Sequence, residues 1–180
     1  MALRKASAYS KKPARPFTRK SSKKDKAYIK TVPYSKIVKF TMGNQKDFVQ
    51  GRHQYAISLL SEEHVQVRDN ALEAGRMLLH KILEEKIPGQ YFLAVKVYPH
   101  HMIRENKTAA GAGADRMSTG MTQSFGIVIG RAAIVRPMQE VFFVSCIDEK
   151  AARIARAALK TIKSKIPSKT RIIFTKISLK

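Results

Sequence analysis

From about residue 33 onward, apolar and polar positions along the chain follow two rhythms, a period of two and a period near 3.6. SKIVKF (35–40) reads as a short strand, and TMGN (41–44) is a turn signal. In QYAISLL (54–60), Tyr55, Ile57 and Leu59 alternate with smaller or polar residues, which predicts a second strand. Ser61 is placed to cap a helix, with Glu62 and Glu63 in the first turn where the macrodipole favours acids. Val65, Leu72, Leu79 and Leu83, joined by Ala71, Leu78 and Ile82, form an apolar stripe at helical spacing until Pro88-Gly89 stops it. YFLAVKVY (91–98) then predicts a strand.

The second half repeats the scheme. Residues 142–177 run from a strand to an acidic helix start at Asp148-Glu149, an amphipathic helix, Lys-Ile-Pro, and a strand. EEKIPGQYFLAVKV and KSKIPSKTRIIFTKI both use Lys-Ile-Pro to end the helix and turn the chain into a β run, because proline disfavours helical geometry at the residue before it. GIVIGRAAIV (126–135) predicts one more strand, joined to EVFFVSCI through an RPMQ connection of hairpin length. Two one-faced helices and about six strands are best satisfied by an α+β fold. The expected form is a two-layer sandwich, with both helices on one side of a mixed, mostly antiparallel sheet. A ferredoxin-like split βαβ is the nearest alternative.

One stretch fits neither rhythm. YPHHMIRENKTAAGAGADRMSTGMTQSFG (98–126) carries four of the nine glycines and the adjacent His100 and His101. Such a long irregular segment within a compact domain is usually functional or disordered. Three uses compete for it: a metal or catalytic site, a phosphate-cradling loop, or a finger that takes shape against a partner.

Charge sharpens the choice. The chain has 180 residues and a formal net charge of +22. Residues 1–30 hold eleven Lys/Arg against Asp25 alone, and residues 150–180 hold ten against no acid. The sequence therefore describes a near-neutral globule with basic ends: an extension over 1–32, a single domain over 33–180, and a flexible loop at about 102–123. Each phosphate neutralised by such a surface releases condensed counterions, so a polyanionic partner is expected. Arg4, Lys5, Lys11, Lys12, Arg15, Arg19, Lys20, Lys23 and Lys24 are the candidate phosphate contacts, in arms expected to order only on RNA.

A membrane partner is not expected, because the extension offers only Leu3, Tyr9 and Phe17 as large apolar residues. It has no secretory h-region, and Pro13 and Pro16 break the helix a transit peptide needs. The lone Cys146 lies in an apolar run and excludes an internal disulfide.

Neighbouring His100 and His101 on an extended chain point to opposite faces, so they do not form a metal site, and no metal or cofactor is expected. GAGAD (111–115) has Arg116 where a dinucleotide fingerprint needs its third glycine, and no P-loop GK[ST] follows. Ser118, Ser124 and Asp115 lack a nucleophile elbow, so no catalytic residues are assigned. No DNA-reading motif is visible. The surviving use is RNA: Arg104, Lys107 and Arg116 can meet phosphates, and His and Asn side chains can stack on bases or bond to 2′-hydroxyls.

At these residues YPHHMIRENKTAAGAGADRMSTGM closely resembles the signature of the large-subunit ribosomal protein family called L-ten-e in archaea and eukaryotes, the counterpart of bacterial L-sixteen. RPFTRK, VPYSKIVKFTMGN and ALEAGR extend the resemblance over most of the chain, whose setting suggests an archaeal member. The resemblance implies an α/β-hammerhead type of fold in the cytoplasm, within the ribosome. The implied partners are large-subunit ribosomal RNA, neighbouring ribosomal proteins, and tRNA near the A and P sites. It further implies that the loop reaches toward the peptidyl-transferase centre, with His100, His101, Arg104, Glu105, Asn106, Lys107, Asp115 and Arg116 near tRNA. Family members tend to join the subunit late, and the catalyst there is RNA. The likeness departs at Thr122 and Gln123, where the family often has a basic residue, so the side with Arg104, Asn106 and Lys107 carries the match.

Overall fold

The computed structural model describes residues 5–11, 15–18, 29, 31–105 and 126–177. Its elements are α1 (Ser7–Ser10), β1 (Thr41–Gly43), α2 (Gln45–Val49), β2 (Tyr55–Ser61), β3 (Val65–Arg68), α3 (Asp69–Lys86), β4 (Tyr91–Val95), β5 (His101–Glu105), β6 (Ile127–Val135), β7 (Glu140–Cys146), α4 (Glu149–Ile162) and β8 (Thr170–Lys176). They form a five-stranded sheet of order β1-β4-β7-β2-β8 and a three-stranded sheet of order β3-β6-β5.

Alternation decides which side of the larger sheet is covered. Ile57, Leu59, Leu93, Phe142 and Val144 lie in register across β2, β7 and β4 on one face and are fully buried. On α3 the inward positions are Leu72, Gly75, Arg76, Leu79 and Leu83, and on α4 they are Ala151, Ala152, Ala155, Ala158, Leu159 and Ile162. Both stripes repeat at three and four residues, so each helix buries one face against these strands. Gly75 sets the depth of packing: a Cβ there would lie 3.0 Å from Phe142 Cζ and 3.1 Å from Ile162 Cγ2. The opposite face carries Phe92 and Phe143, both packed against Phe48 of α2, with Phe92 stacked at 4.4 Å.

The expected α+β class holds, and helices do cover a sheet, but several details differ. The pairings among the described residues are all antiparallel rather than mixed, and they form two sheets rather than one. The larger sheet, read as β2-α3-β4 and β7-α4-β8 with order β4-β7-β2-β8, has the ferredoxin-like split βαβ connectivity. The Lys-Ile-Pro repeat is thus a structural repeat, and Ile87 and Ile166 both end in the core.

The helix does not begin at Ser61. Ser61 closes β2, its hydroxyl donating to the Glu63 carbonyl at 2.8 Å, and Val65 and Val67 alternate in β3 opposite Val135 and Ala133. A β-branched pair with a paired neighbour outcompetes one turn of helix. Asp69 instead opens α3, its carboxylate accepting the backbone N–H of Asn70 at 2.8 Å and of Lys36 at 3.1 Å.

Residues 35–40 are not a strand, since the amides of Lys36 and Val38 donate to the side chains of Asp69 and Glu73. The strand falls on the expected turn, Thr41–Gly43, where Gly43 (φ +84°) comes so close to the Tyr91 carbonyl that any Cβ would collide. The RPMQ connection is no hairpin: β6 and β7 belong to different sheets, and the turn is tied to the end of β2 by Met138 N–H to Ser61 O (2.7 Å) and Ser61 N–H to Gln139 O (3.1 Å).

Gly75 provides a direct test of the helix layer. Gly75→Ala gains about 1 kcal/mol of helix propensity and is expected to remain within about 1 kcal/mol of the parent. Gly75→Val is expected to lose about 2–3 kcal/mol by overpacking against Phe142 and Ile162, as read by urea denaturation.

Candidate nucleic-acid interface

The smaller sheet is mounted on the larger one by the chain itself. β3 interrupts the connection from β2 to α3, and the β5–β6 pair is inserted between β4 and β7. Glu105 lies opposite Ile127 in register, so residues 106–125 join the adjacent ends of two paired strands. Met102–Glu105 are therefore strand residues, which moves the expected start of the loop at 102 to beyond Glu105.

Part of the basic extension straps across this sheet. The Phe17 N–H donates to His101 Nδ1 at 2.8 Å, and the Met102 N–H donates to the Phe17 carbonyl at 2.9 Å. The Arg104 guanidinium lies 3.8 Å from the centroid of the Phe17 ring. Stacking engages the face of the guanidinium and leaves its N–H edge able to donate to a phosphate. Further back, Tyr9 on α1 donates from its hydroxyl to Glu105 Oε2 at 3.0 Å, and the Arg68 guanidinium sits 5.8 Å over the Tyr9 ring. Ser10 and Ile29 are buried. Residues 5–11 and 15–18 of the extension therefore meet β5 through two aromatic anchors, Tyr9 and Phe17, and a backbone bridge.

His101 is the hinge of this contact. Burial lowers its pKa below the ordinary histidine value, and the neighbouring charges of His100 and Arg104 lower it further. A neutral ring is what the geometry needs, since Nδ1 must keep a lone pair for the Phe17 N–H. His100 turns elsewhere, with its Nδ1 3.1 Å from the Tyr98 carbonyl, so the two imidazoles serve different partners.

Of the expected phosphate contacts, Lys5, Lys11 and Arg15 are exposed on the described part of the extension. Arg4, Lys12, Arg19, Lys20, Lys23 and Lys24 lie outside the described residues, as do Asn106, Lys107, Asp115 and Arg116 of the loop. The considered nucleophiles Ser118 and Ser124 also lie outside them. His53, although it stands among polar residues in the sequence, is a core residue. It is bonded to Ser145 Oγ at 2.7 Å, with a pKa lowered chiefly by burial. Burial pushes the Cys146 thiol up to about 12, as fits an inert core position.

Two basic features escape a reading of the sequence. Arg131 on β6 donates to the Pro33 carbonyl at 2.7 Å and to the Tyr98 hydroxyl at 3.1 Å, beside a Phe40–Tyr98 ring pair. It fixes the 31–40 segment, on which Tyr34 is 96% exposed. On α4, Arg153, Arg156, Lys160 and Lys163 at or just past its end are exposed on the side away from the alanine stripe. The helical period was legible there, but the charge count hid the stripe.

The fold is thus an α+β domain with a docked basic strap, a basic helix face and a strand pair from which residues 106–125 depart. The chain belongs to the family described as ribosomal protein L16p/L10e, whose model matches residues 14–173. Over 175 residues it is 44% identical to the large ribosomal subunit protein uL16 of Staphylothermus marinus, covering 97% of this chain and 94% of the relative. It is also 44% identical over 169 residues to uL16 of Hyperthermus butylicus, covering 89% and 91%. With uL16 of Methanococcus maripaludis it shares 39% over 177 residues, covering 98% and 96%. This is a family of structural ribosomal components, not of enzymes.

The strap is expected to loosen in acid. Because the folded pKa of His101 lies below its unfolded value of about 6.5, the contact is fully present above that pH and is lost as pH falls through the folded pKa. The protection of the Phe17 and Met102 amides, relative to the intrinsic exchange rate at each pH, should fall together between pH 7.5 and 5, while the core amides of β2 and β7 stay protected. Unchanged protection at Phe17 would show that the ring nitrogen does not hold the strap.

Proposed function

We propose that this protein is a structural constituent of the large ribosomal subunit. It binds large-subunit ribosomal RNA beside the aminoacyl-tRNA site and contacts neighbouring ribosomal proteins in the cytoplasmic ribosome. The segment 106–125 reaches toward the peptidyl-transferase centre, near tRNA in the A and P sites, and supports tRNA accommodation and late subunit assembly. In the hammerhead arrangement that the family implies, the β3-β6-β5 sheet forms the head.

The observation that supports this reading best is the strap. Phe17, held by His101 and Met102 and stacked under Arg104, ties the basic N-terminal segment to the strand from which residues 106–125 depart. RNA that anchors the extension therefore also orients the root of the loop. The phosphate contacts Lys5, Lys11 and Arg15 are joined in this proposal by those outside the described residues, and Arg104, Glu105, Asn106, Lys107, Asp115 and Arg116 face tRNA.

Replacing residues 106–125 with a short Gly-Ser linker should leave the melting of the core unchanged, since α3, α4 and the Glu105–Ile127 pairing remain. The variant should still sediment with the large subunit in moderate salt but stall subunit maturation or slow tRNA accommodation. Normal assembly and a normal translation rate would overturn the proposal for the loop.

Replacing Lys5, Lys11, Lys23 and Lys24 with Gln should flatten the slope of log affinity against log salt by about 3, at about 0.7–0.9 per phosphate contact. An unchanged slope would reduce the extension to a solubility tail.

A further inference from the structure

Beside the strap, lined by Arg15 and Pro16 on that side, lies a cleft of about 690 Å³. That is within the range of about 300–1,000 Å³ in which pockets hold small ligands. Its cationic lining is Arg15 on the strap and Arg136 on the β6–β7 turn, and no carboxylate of the described residues lines it. The side chains of both arginines are exposed and are not engaged by any acid of the described residues. Two imidazoles, His64 from the β2–β3 turn and His100 before β5, and the Gln139 amide complete the polar part. Pro16, Pro137 and Met138 supply flat or pliable apolar surface between them.

The turn that carries Arg136 is held in an unusual shape. Gln139 N–H donates to the Arg136 carbonyl at 3.2 Å, and Met138, directly after Pro137, has φ +62°. That is the pattern of a type II turn, whose third position normally takes glycine or asparagine. A methionine there is strained, and the turn keeps it because the backbone is tied on both sides: to Ser61, and by Arg136 N–H to Gln139 Oε1 at 2.9 Å. The result is a rigid wall that presents a 54% exposed methionine to the cleft.

We propose that this cleft receives one unpaired nucleotide of large-subunit RNA. Its phosphate lies between Arg15 and Arg136, and its base lies on the Pro16, Pro137 and Met138 surface with His64 and His100 at its edge. Two cations without an acid specify an anion, and an apolar floor with hydrogen-bonding edges specifies a base attached to it. A bare phosphate needs no such floor, and duplex RNA presents no free base face. The inference rests on the ribosomal reading above and adds to it a site that selects unstacked RNA.

The test follows the ring resonances of His64 and His100 in the full-length protein by NMR, with His53 and His80 as internal controls. A single-stranded RNA pentamer is expected to shift both rings, and the duplex of the same sequence to shift neither. Inorganic pyrophosphate should move neither ring more than it moves His53 and His80. Met138→Gly, which suits φ +62° and should fold at least as well, is expected to weaken single-strand binding about fivefold and leave duplex binding unchanged. Arg136→Ala should lower the salt slope for the pentamer by about 0.7. Equal ring shifts with pyrophosphate would replace the nucleotide site with a simple anion site, and shifts with an acidic peptide alone would make it a protein-binding groove. No shift with any probe, in a protein that still co-sediments with the subunit, would overturn the cleft alone. A protein that binds neither the subunit nor its RNA would overturn the ribosomal reading and the cleft together.

Discussion

The close approach at Gly75 is the contact on which the rest of the molecule depends. There α3, the ring of Phe142 on β7 and Ile162 at the end of α4 meet with no room for a methyl group unless a neighbour gives way. This one crossing locks the two β-α-β halves to each other, because β7 opens the second half while α3 belongs to the first. Close-packed interiors transmit position, so fixing β7 against α3 also fixes β2 and β4 on either side of it. The smaller sheet shares this core: Val65 and Val67 of β3 and Ala133 and Val135 of β6 pack into it, with α3 against both strands. Its placement therefore follows from α3 and from the strands it interrupts, and the strap takes its placement from the smaller sheet.

That hierarchy separates stability from recognition. The core is made mainly of aliphatic side chains and alanines, with the rings of Phe142 and Tyr91 among them, and its charged members are satisfied in place. Arg76 is the clearest case: it is buried and bonded through Nε to Glu73 Oε2 at 2.8 Å, and the Arg76 hydrogen bond holds the Glu73 carboxyl below its usual range. The exposed cations of the described residues include those of the strap, the outer side of α4 and the turn after β6. None of these closes the core, so their charge can be committed to a polyanion without loss of the fold.

Much of this was legible in the sequence, for identifiable reasons. Both helix stripes, the Lys-Ile-Pro stops and the strands at Tyr55, Tyr91 and Glu140 were readable because each is a local pattern with a definite period. The signature around His100–Arg116 gave the family because such a long and particular run does not arise by chance. What was not legible depended on distant partners. Val65 and Val67 look like the start of a helix until Val135 and Ala133 are placed beside them. Phe17 looks like a stray aromatic in a basic tail until His101, 84 positions later, accepts its amide. The RPMQ turn has hairpin length, and only the division into two sheets shows that it crosses between layers.

The outer edge of the larger sheet has a consequence of another kind. Among the described residues β8 presents an unpaired backbone edge together with Ile173 and Phe174, which are 36% and 40% exposed, a combination that invites a second copy of the chain to add a strand of its own. Arg171 and Lys176 stand at either side of these residues, and no acid lies on β8 to offset them. Two such edges brought together would confront cation with cation before any backbone bond could form. The positive charge thus acts as a colloidal guard while the protein is free, and the guard weakens wherever a polyanion neutralises it. Self-association through this edge is therefore discouraged for as long as that charge stands.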